Sequence, residues 1–406
     1  MPCALHSKNR AGQPWHKAGH DELCGKALFQ WLHFDSDSQD EPTFSISGTV
    51  VELCMSAQIV QEVVDFAALA RWMDDQQIER GPIEDVTSLR GGTQNVLLRF
   101  RRGKREFVLR RPPKHPRANS NDTMRREARV LAALSDTGVP HPKLIAACSS
   151  EDILGAAFYL MEPVDGFNAT VGLPALHASD PAIRWRMGLA LIEGIAVLGR
   201  IDHVKLGLSG LGRPENFLAR QVERWRAQFE SYRKFEGWPG GGDLPGLHVV
   251  GQWLEDRRPL QFEPSIIHGD YHLANVMFRY DAPELAAIVD WELVTIGDPL
   301  VDLGWVLATW PDPSGPVPGT VGVKPWSGFP AARELVEHYS LHSGRDVSDI
   351  AWYKVLACYK LGIVNEGTYA RACAGHASME TGKYLHQFAI GLFERAGRWI
   401  GEVRGE

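Results

Sequence analysis

The stretch IIHGDYHLANVMF, residues 266–278, breaks an apolar run with Asp270 and, five positions later, Asn275. Downstream, LAAIVDWELVTIGDPLVDLGW ends an apolar, strand-forming AAIVD on Asp290, with Asp298 and Asp302 beyond it. Phosphoryl transfer needs a carboxylate that takes a proton, together with an amide and a second carboxylate that hold a divalent cation. The spacing D-x-x-x-x-N puts the base and one metal ligand on a single loop. Asp270, Asn275 and Asp290 match that order and spacing. Taken alone, Asp270 and Asn275 would read as well as a capping and turn pair in a buried loop. Their ordered coupling to Asp290 favours chemistry.

Other elements must carry the nucleotide to such a loop. In VTSLRGGTQNVLLRFRRGKREFVLRRPP, two β-rich runs, NVLLRF and EFVLR, flank the turn RRGK, which predicts a hairpin preceded by a Gly91-Gly92 turn. Glycines there let backbone N–H groups approach phosphate oxygens without Cβ interference; the bland alternative is a hairpin turn and nothing more. The strand EFVLR resembles one that carries a phosphate-binding Lys, with Arg110 in the Lys position. Glu127 on the next segment is its natural ion-pair partner, unless the two form a plain surface salt bridge. That segment, SNDTMRREARVLAALSDTGVP, predicts a helix capped by Asn121 or Asp122 and ended by Gly138 and Pro140. AAFYLMEPVDG predicts a strand that breaks at Pro163 and Gly166. Arg111, Lys114, His115 and Arg117 form a basic cluster, a solvated face or a contact for an anionic substrate.

The rest of the chain narrows the reading. With 406 residues, 44% hydrophobic and 23% charged, it can bury a large core. A net charge of −7 gives no global basic field for nucleic acid or anionic membrane, so the expected partner is a small molecule. Six cysteines without a C-x-x-C pair, and no basic-then-apolar leader pattern, lead us to expect a reducing cytoplasm. The greasiest stretch, MGLALIEGIAVLG, contains Glu193 and is short of the roughly 20 apolar residues that a span requires, so no membrane crossing is expected. Residues 1–58 are expected to be a poorly ordered extension, with the natural start at Met55. His16, His20 and Cys24 fall at i, i+4, i+8 there, but lack a fourth ligand and straddle Gly19, so a solvated tail is expected rather than a zinc site. From about residue 175 helices prevail: Asp180-Pro181 marks a helix start, and Leu218, Val222, Trp225, Phe229 and Tyr232 form one apolar stripe.

Together LRGGTQN, FVLRRPP, RREARVLAAL, FYLMEPVDG, IIHGDYHLANVMF and IVDWE…GDPLVDLGW resemble, in family order, the aminoglycoside phosphotransferase and choline kinase group of small-molecule kinases. VLRRPP, LGRPENFLARQVERW and AWYKVLACYKLGIV look closest to the branch associated with acyl-CoA dehydrogenases. The resemblance implies an α+β, two-lobed protein-kinase-like fold: a small β-rich N-lobe over 59–163 and a larger α-helical C-lobe over 164–406. It implies an ATP- and Mg-dependent transfer of the γ-phosphate to a small-molecule hydroxyl, on a hydroxyacyl-CoA or an aminoglycoside or macrolide. Asp270 would be the base; Asn275 and Asp290 would hold magnesium. Gly91, Gly92 and Thr93 would cover the phosphates, Arg110 would contact them and Glu127 would fix Arg110. Met161, Glu162, Pro163 and Val164 would form the adenine-reading hinge. His268 would hold the catalytic loop by hydrogen bonding, and Asp298 and Asp302 would be loop and helix-capping groups. A guanidinium is not equivalent to an ammonium, so Arg110 keeps a rival reading open, a nucleotide-binding but inactive scaffold or sensor. DWE in place of Asp-Phe-Gly favours small-molecule over protein phosphorylation.

Overall fold

The computed structural model describes residues 64–89, 95–116, 118–313 and 317–405. Gly91, Gly92, Thr93, Arg117, Met55 and the His16, His20, Cys24 trio lie outside them.

The first described helix, α1 (Phe66–Asp75), is capped by Asp65, whose carboxylate accepts from Ala68 N. Its apolar face, Leu69, Trp72 and Met73, packs on a five-stranded antiparallel sheet built from β1 (Ile83–Ser88), β2 (Val96–Arg102), β3 (Arg105–Arg111), β4 (Leu144–Cys148) and β5 (Phe158–Met161) in the order β1-β2-β3-β5-β4. The β2–β3 hairpin turns on Gly103 and Lys104, two residues rather than the four expected, because Arg101 and Arg102 continue the strand. Arg102 stays buried by donating to Gly81 O, Ala70 O and Asp74 Oδ1, which supply acceptors that an apolar side chain would not need.

Strand alternation divides this sheet between two cores. Phe107, Leu109, Phe158 and Leu160 face α1, whereas Val108, Tyr159 and Met161 join the core that runs on into the helical lobe. Arg110 shares the face of Val108, and its Cα partner across the ladder is Tyr159. On this side lies α2 (Ser120–Leu134), which buries Met124, Glu127, Val130, Leu131 and Leu134. Its start differs from expectation. Asn119 is the N-cap residue and makes no side-chain cap; Asn121 Oδ1 instead accepts from Ala157 N, and Asp122 pairs with Arg125.

The second lobe is helical: α3 (Ala175–Ser179), α4 (Pro181–Gly199), α5 (Ala219–Glu230), α6 (Leu247–Asp256), α7 (Leu300–Thr309), α8 (Ala332–Ser343), α9 (Ile350–Cys373) and α10 (Met379–Arg404). Asp180 caps α4 through Ala182 N, as the Asp-Pro pair predicts. All five stripe residues around α5 are buried. Two short ladders, β6 (Ser265–Ile267) with β9 (Thr295–Gly297) and β7 (Val276–Phe278) with β8 (Leu285–Ile288), sit between lobe and sheet and carry the polar loops. The architecture is the α+β arrangement expected, a small sheet beside a larger helical region. Among the described residues no helix is long and apolar enough to cross a membrane.

Candidate active site

The loop between β6 and β7 is fixed before its side chains are considered. Gly269 has φ 87°, and a Cβ there would lie 2.6 Å from Leu293 O, so the chain can pass Leu293 only as glycine. Asp302, at the start of α7, accepts from His268 N at 2.7 Å and Gly269 N at 2.9 Å. It holds this loop, one of the two structural roles expected for Asp298 and Asp302. Asp298, just before the Pro299 N-cap of α7, accepts from Leu300 N through Oδ1 and from Tyr353 Oη through Oδ2. Tyr271 Oη donates to Leu191 O on α4, where Gly194 leaves the room: a Cβ there would be 2.7 Å from that hydroxyl. Asn168 Nδ2 donates to Ala274 O, and Lys360 Nζ to Gly269 O while lying 4.0 Å from the centre of the Trp305 ring.

The loop is then stitched to the segment that bears Asp290. His268 Nε2 lies 2.9 Å from Val289 O, which can only accept, so this nitrogen carries the proton. Val289 N donates to Asn275 O at 2.9 Å. Asp290 therefore follows directly a residue held from both ends of the 268–275 loop, and it turns with φ 65°, in the left-handed region unusual for a residue with a Cβ.

Asp270 and Asn275 touch. Asn275 Nδ2 donates to Asp270 O at 2.8 Å and Oδ2 at 3.0 Å. Both residues are buried, 2% and 0% exposed, yet Asp270 Oδ1 and Asn275 Oδ1 accept no hydrogen bond from the protein. His272 accepts at Nδ1 from Ala274 N, so in the neutral ring Nε2 bears the hydrogen; it lies 3.3 Å from Asp270 Oδ1, near enough for attraction though off the line of a hydrogen bond. Burial alone would raise the Asp270 carboxyl, but His272, with His268 and Lys360 behind it, brings it down to about 2.

Arg110 reaches this site from the sheet. Its Nη2 donates to Asp290 Oδ1 at 2.9 Å and to Glu127 Oε1 at 3.4 Å, and its Nε is 2.9 Å from Glu127 Oε2. Tyr159 Oη donates to Glu127 Oε2 at 2.8 Å. Glu127 is wholly buried, so the pair is no surface salt bridge. Arg126 Nη2 donates to Glu292 O and ties α2 to the turn after Asp290. Burial, then the Asp290 carboxylate, pushes the Glu292 carboxyl well above the usual range; its Oε1 is buried and accepts no hydrogen bond.

Met161 closes β5 and Glu162 N donates to Lys143 O, so the segment expected to be the hinge lies at the sheet margin. Of the basic cluster, Arg111 is buried and donates to Pro112 O, while Lys114 and His115 are exposed, so these do not form one basic face. Lys360, His272 and Glu292 are the site residues that the sequence does not single out; of these only Glu292, in DWE, has a local signal.

A sequence model described as the phosphotransferase enzyme family matches residues 85–335. Acyl-CoA dehydrogenase family member 11 of Gallus gallus is 31% identical over 313 residues, 75% of this chain and 38% of the relative. Family member 10 of Mus musculus is 28% identical over 321 residues, 78% and 29%. The chain thus spans well under half the length of these curated relatives. A crystal structure of a provisionally assigned aminoglycoside phosphotransferase from Ralstonia eutropha superposes with a TM-score of 0.68 at 28% identity, covering 82% of this chain and 99% of that one. The GDP complex of aminoglycoside 2′-phosphotransferase-IIIa, at 16% identity and TM-score 0.56 over 82% and 99%, shares the fold. So does a thermostable aminoglycoside phosphotransferase mutant in ternary complex with ADP and hygromycin B, at 11% and 0.51 over 81% and 99%. With the family model spanning more than half of its residues, this chain belongs to the phosphotransferase enzyme family.

Proposed function

We propose that the chain transfers the γ-phosphate of ATP to a hydroxyl of a small molecule, with Asp270 as the proton acceptor. The observation that carries this reading is the stitching of Asp270, Asn275 and Asp290 around Val289, with two buried side-chain oxygens that accept no hydrogen bond from the protein. Oxygen ligands suit magnesium. Asn275 Oδ1 is held outward from its own hydrogen-bonded amide, and it would bind the ion together with Asp290. Bound there, magnesium would neutralise charge on the transferred phosphate.

The chain's own groups do the rest. Arg110, oriented by Glu127, would meet phosphate oxygens, and Gly91, Gly92 and Thr93 would cover them; Met161–Val164 would read the adenine. Asp270 is ionised at neutral pH and a weak base, which suits a loose transition state in which placing the hydroxyl matters more than basicity. A cavity of about 60 Å³ lined by Phe217, Trp225, Trp305, Leu356 and Lys360 adjoins Gly269 and would receive part of the acceptor. The names of the curated relatives point to hydroxyacyl-CoA esters as the first acceptors to try; the ternary complex with hygromycin B points to aminoglycosides second. A cytoplasmic location belongs to the same reading.

Mass spectrometry of both acceptor classes incubated with enzyme, ATP and magnesium is expected to show addition of one phosphate. Nucleotide binding without transfer to any hydroxyl would favour the scaffold reading, for which the specific observation is the direct Arg110–Asp290 ion pair.

A further inference from the structure

Glu193, His338 and His342 bring two imidazoles and a carboxylate together between α4 and α8. His338 and His342 lie one turn apart on α8 with ring centroids 3.9 Å apart, and Glu193 faces them from α4. His338 Nε2 is 2.9 Å from Glu193 Oε1 and His342 Nε2 is 4.0 Å from it; one ligand atom from each residue falls within 4.8 Å of the other two.

We propose that Glu193, His338 and His342 form a divalent-cation site of zinc-type chemistry that clamps α8 to α4, distinct from the magnesium site of the proposed reaction. Three features support it. First, His342 Nδ1 lies 2.9 Å from His338 O, a carbonyl that can only accept; Nδ1 is therefore the protonated nitrogen, and the neutral ring offers its Nε2 lone pair toward Glu193. Second, Arg186 grips Glu193 through Nη1–Oε1 at 2.9 Å and Nη2–Oε2 at 2.8 Å, which fixes the carboxylate plane and leaves Oε1 directed at His338. Third, two nitrogens and one carboxylate oxygen, with water in the fourth position, suit tetrahedral zinc, whereas magnesium and calcium call for six or more oxygens. On binding, the neutral His338 ring would turn its Nε2 lone pair to the ion and carry its one hydrogen on Nδ1 instead.

The test is zinc titration of the full chain, with magnesium in excess, followed by elemental analysis after dialysis and by thermal melting. One equivalent of zinc is expected, with a rise in Tm. Affinity should fall by roughly tenfold or more in His338→Ala and in His342→Ala. His342 is partly exposed, so its variant carries the test if His338→Ala does not fold. No stoichiometric zinc would overturn the proposal. So would zinc retained unchanged in His342→Ala, or lost instead in Cys24→Ser, which would place the ion on the N-terminal trio.

Discussion

The sheet side and the loop side of the site treat their polar groups in opposite ways. On the sheet side Arg110, Glu127, Tyr159 and Asp290 are engaged with one another: each charge has an opposite charge or a hydroxyl in contact. On the loop side the backbone is held at His268, Gly269, Ala274 and Asn275, while Asp270 Oδ1 and Asn275 Oδ1 accept no hydrogen bond from the protein. Buried polar atoms without partners cost free energy, and the proposed reading assigns that cost at these two oxygens to a bound ion and acceptor. In the proposed reaction Arg110 and Glu127 on the sheet side would position the nucleotide, and Asp270 on the loop side would take the proton.

Substitutions can break that contrast. The largest effect is expected from Asp270→Asn, which keeps the shape and removes the proton acceptor. Turnover should drop by roughly 10³-fold, about 4 kcal/mol in the barrier, with nucleotide affinity retained in direct binding. Asp302→Ala leaves two buried amide donors without their carboxylate and should lower unfolding free energy by about 3 kcal/mol, read by denaturant melting. Arg110→Lys replaces a fork that spans Glu127 and Asp290 with a point charge. The expected cost is about 1–2 kcal/mol in nucleotide affinity; an unchanged Kd would remove Arg110 from the phosphate site.

The smallest effect concerns acid. The Asp270 carboxyl sits near 2 in the folded protein, below its ordinary value, so it adds stability above the ordinary carboxylate range and loses it as pH falls through about 2. Carboxyl carbon NMR should therefore show no Asp270 transition between about pH 7 and 4. A midpoint within that window would mean that His272 does not act on it.

The sequence made the candidate residues readable because their signal is local: Asp270 and Asn275 share one loop, and Asp290 follows the next hairpin. Arg110 and Glu127 were readable through the resemblance of EFVLR to a phosphate-binding strand; in the fold Arg110 lies across from Tyr159 and Glu127 is buried on α2. The supports were not readable. Asp302 meets His268 from 34 positions away and Lys360 meets Gly269 from 91, through packing of α7 and α9 that no short window encodes. Asn121 misled for a related reason, since a distant backbone amide, Ala157 N, claims the oxygen that a cap would use. The Gly91–Thr93 turn lies outside the described residues, and its phosphate contact stands as a proposal.

Calorimetric titration of ATP into wild type and Asp290→Ala, each with and without magnesium, tests the central claim most directly. Magnesium is expected to tighten ATP binding in wild type, and that gain should vanish in the variant. Equal ATP affinity with and without magnesium in wild type, or a gain that survives in Asp290→Ala, would contradict it.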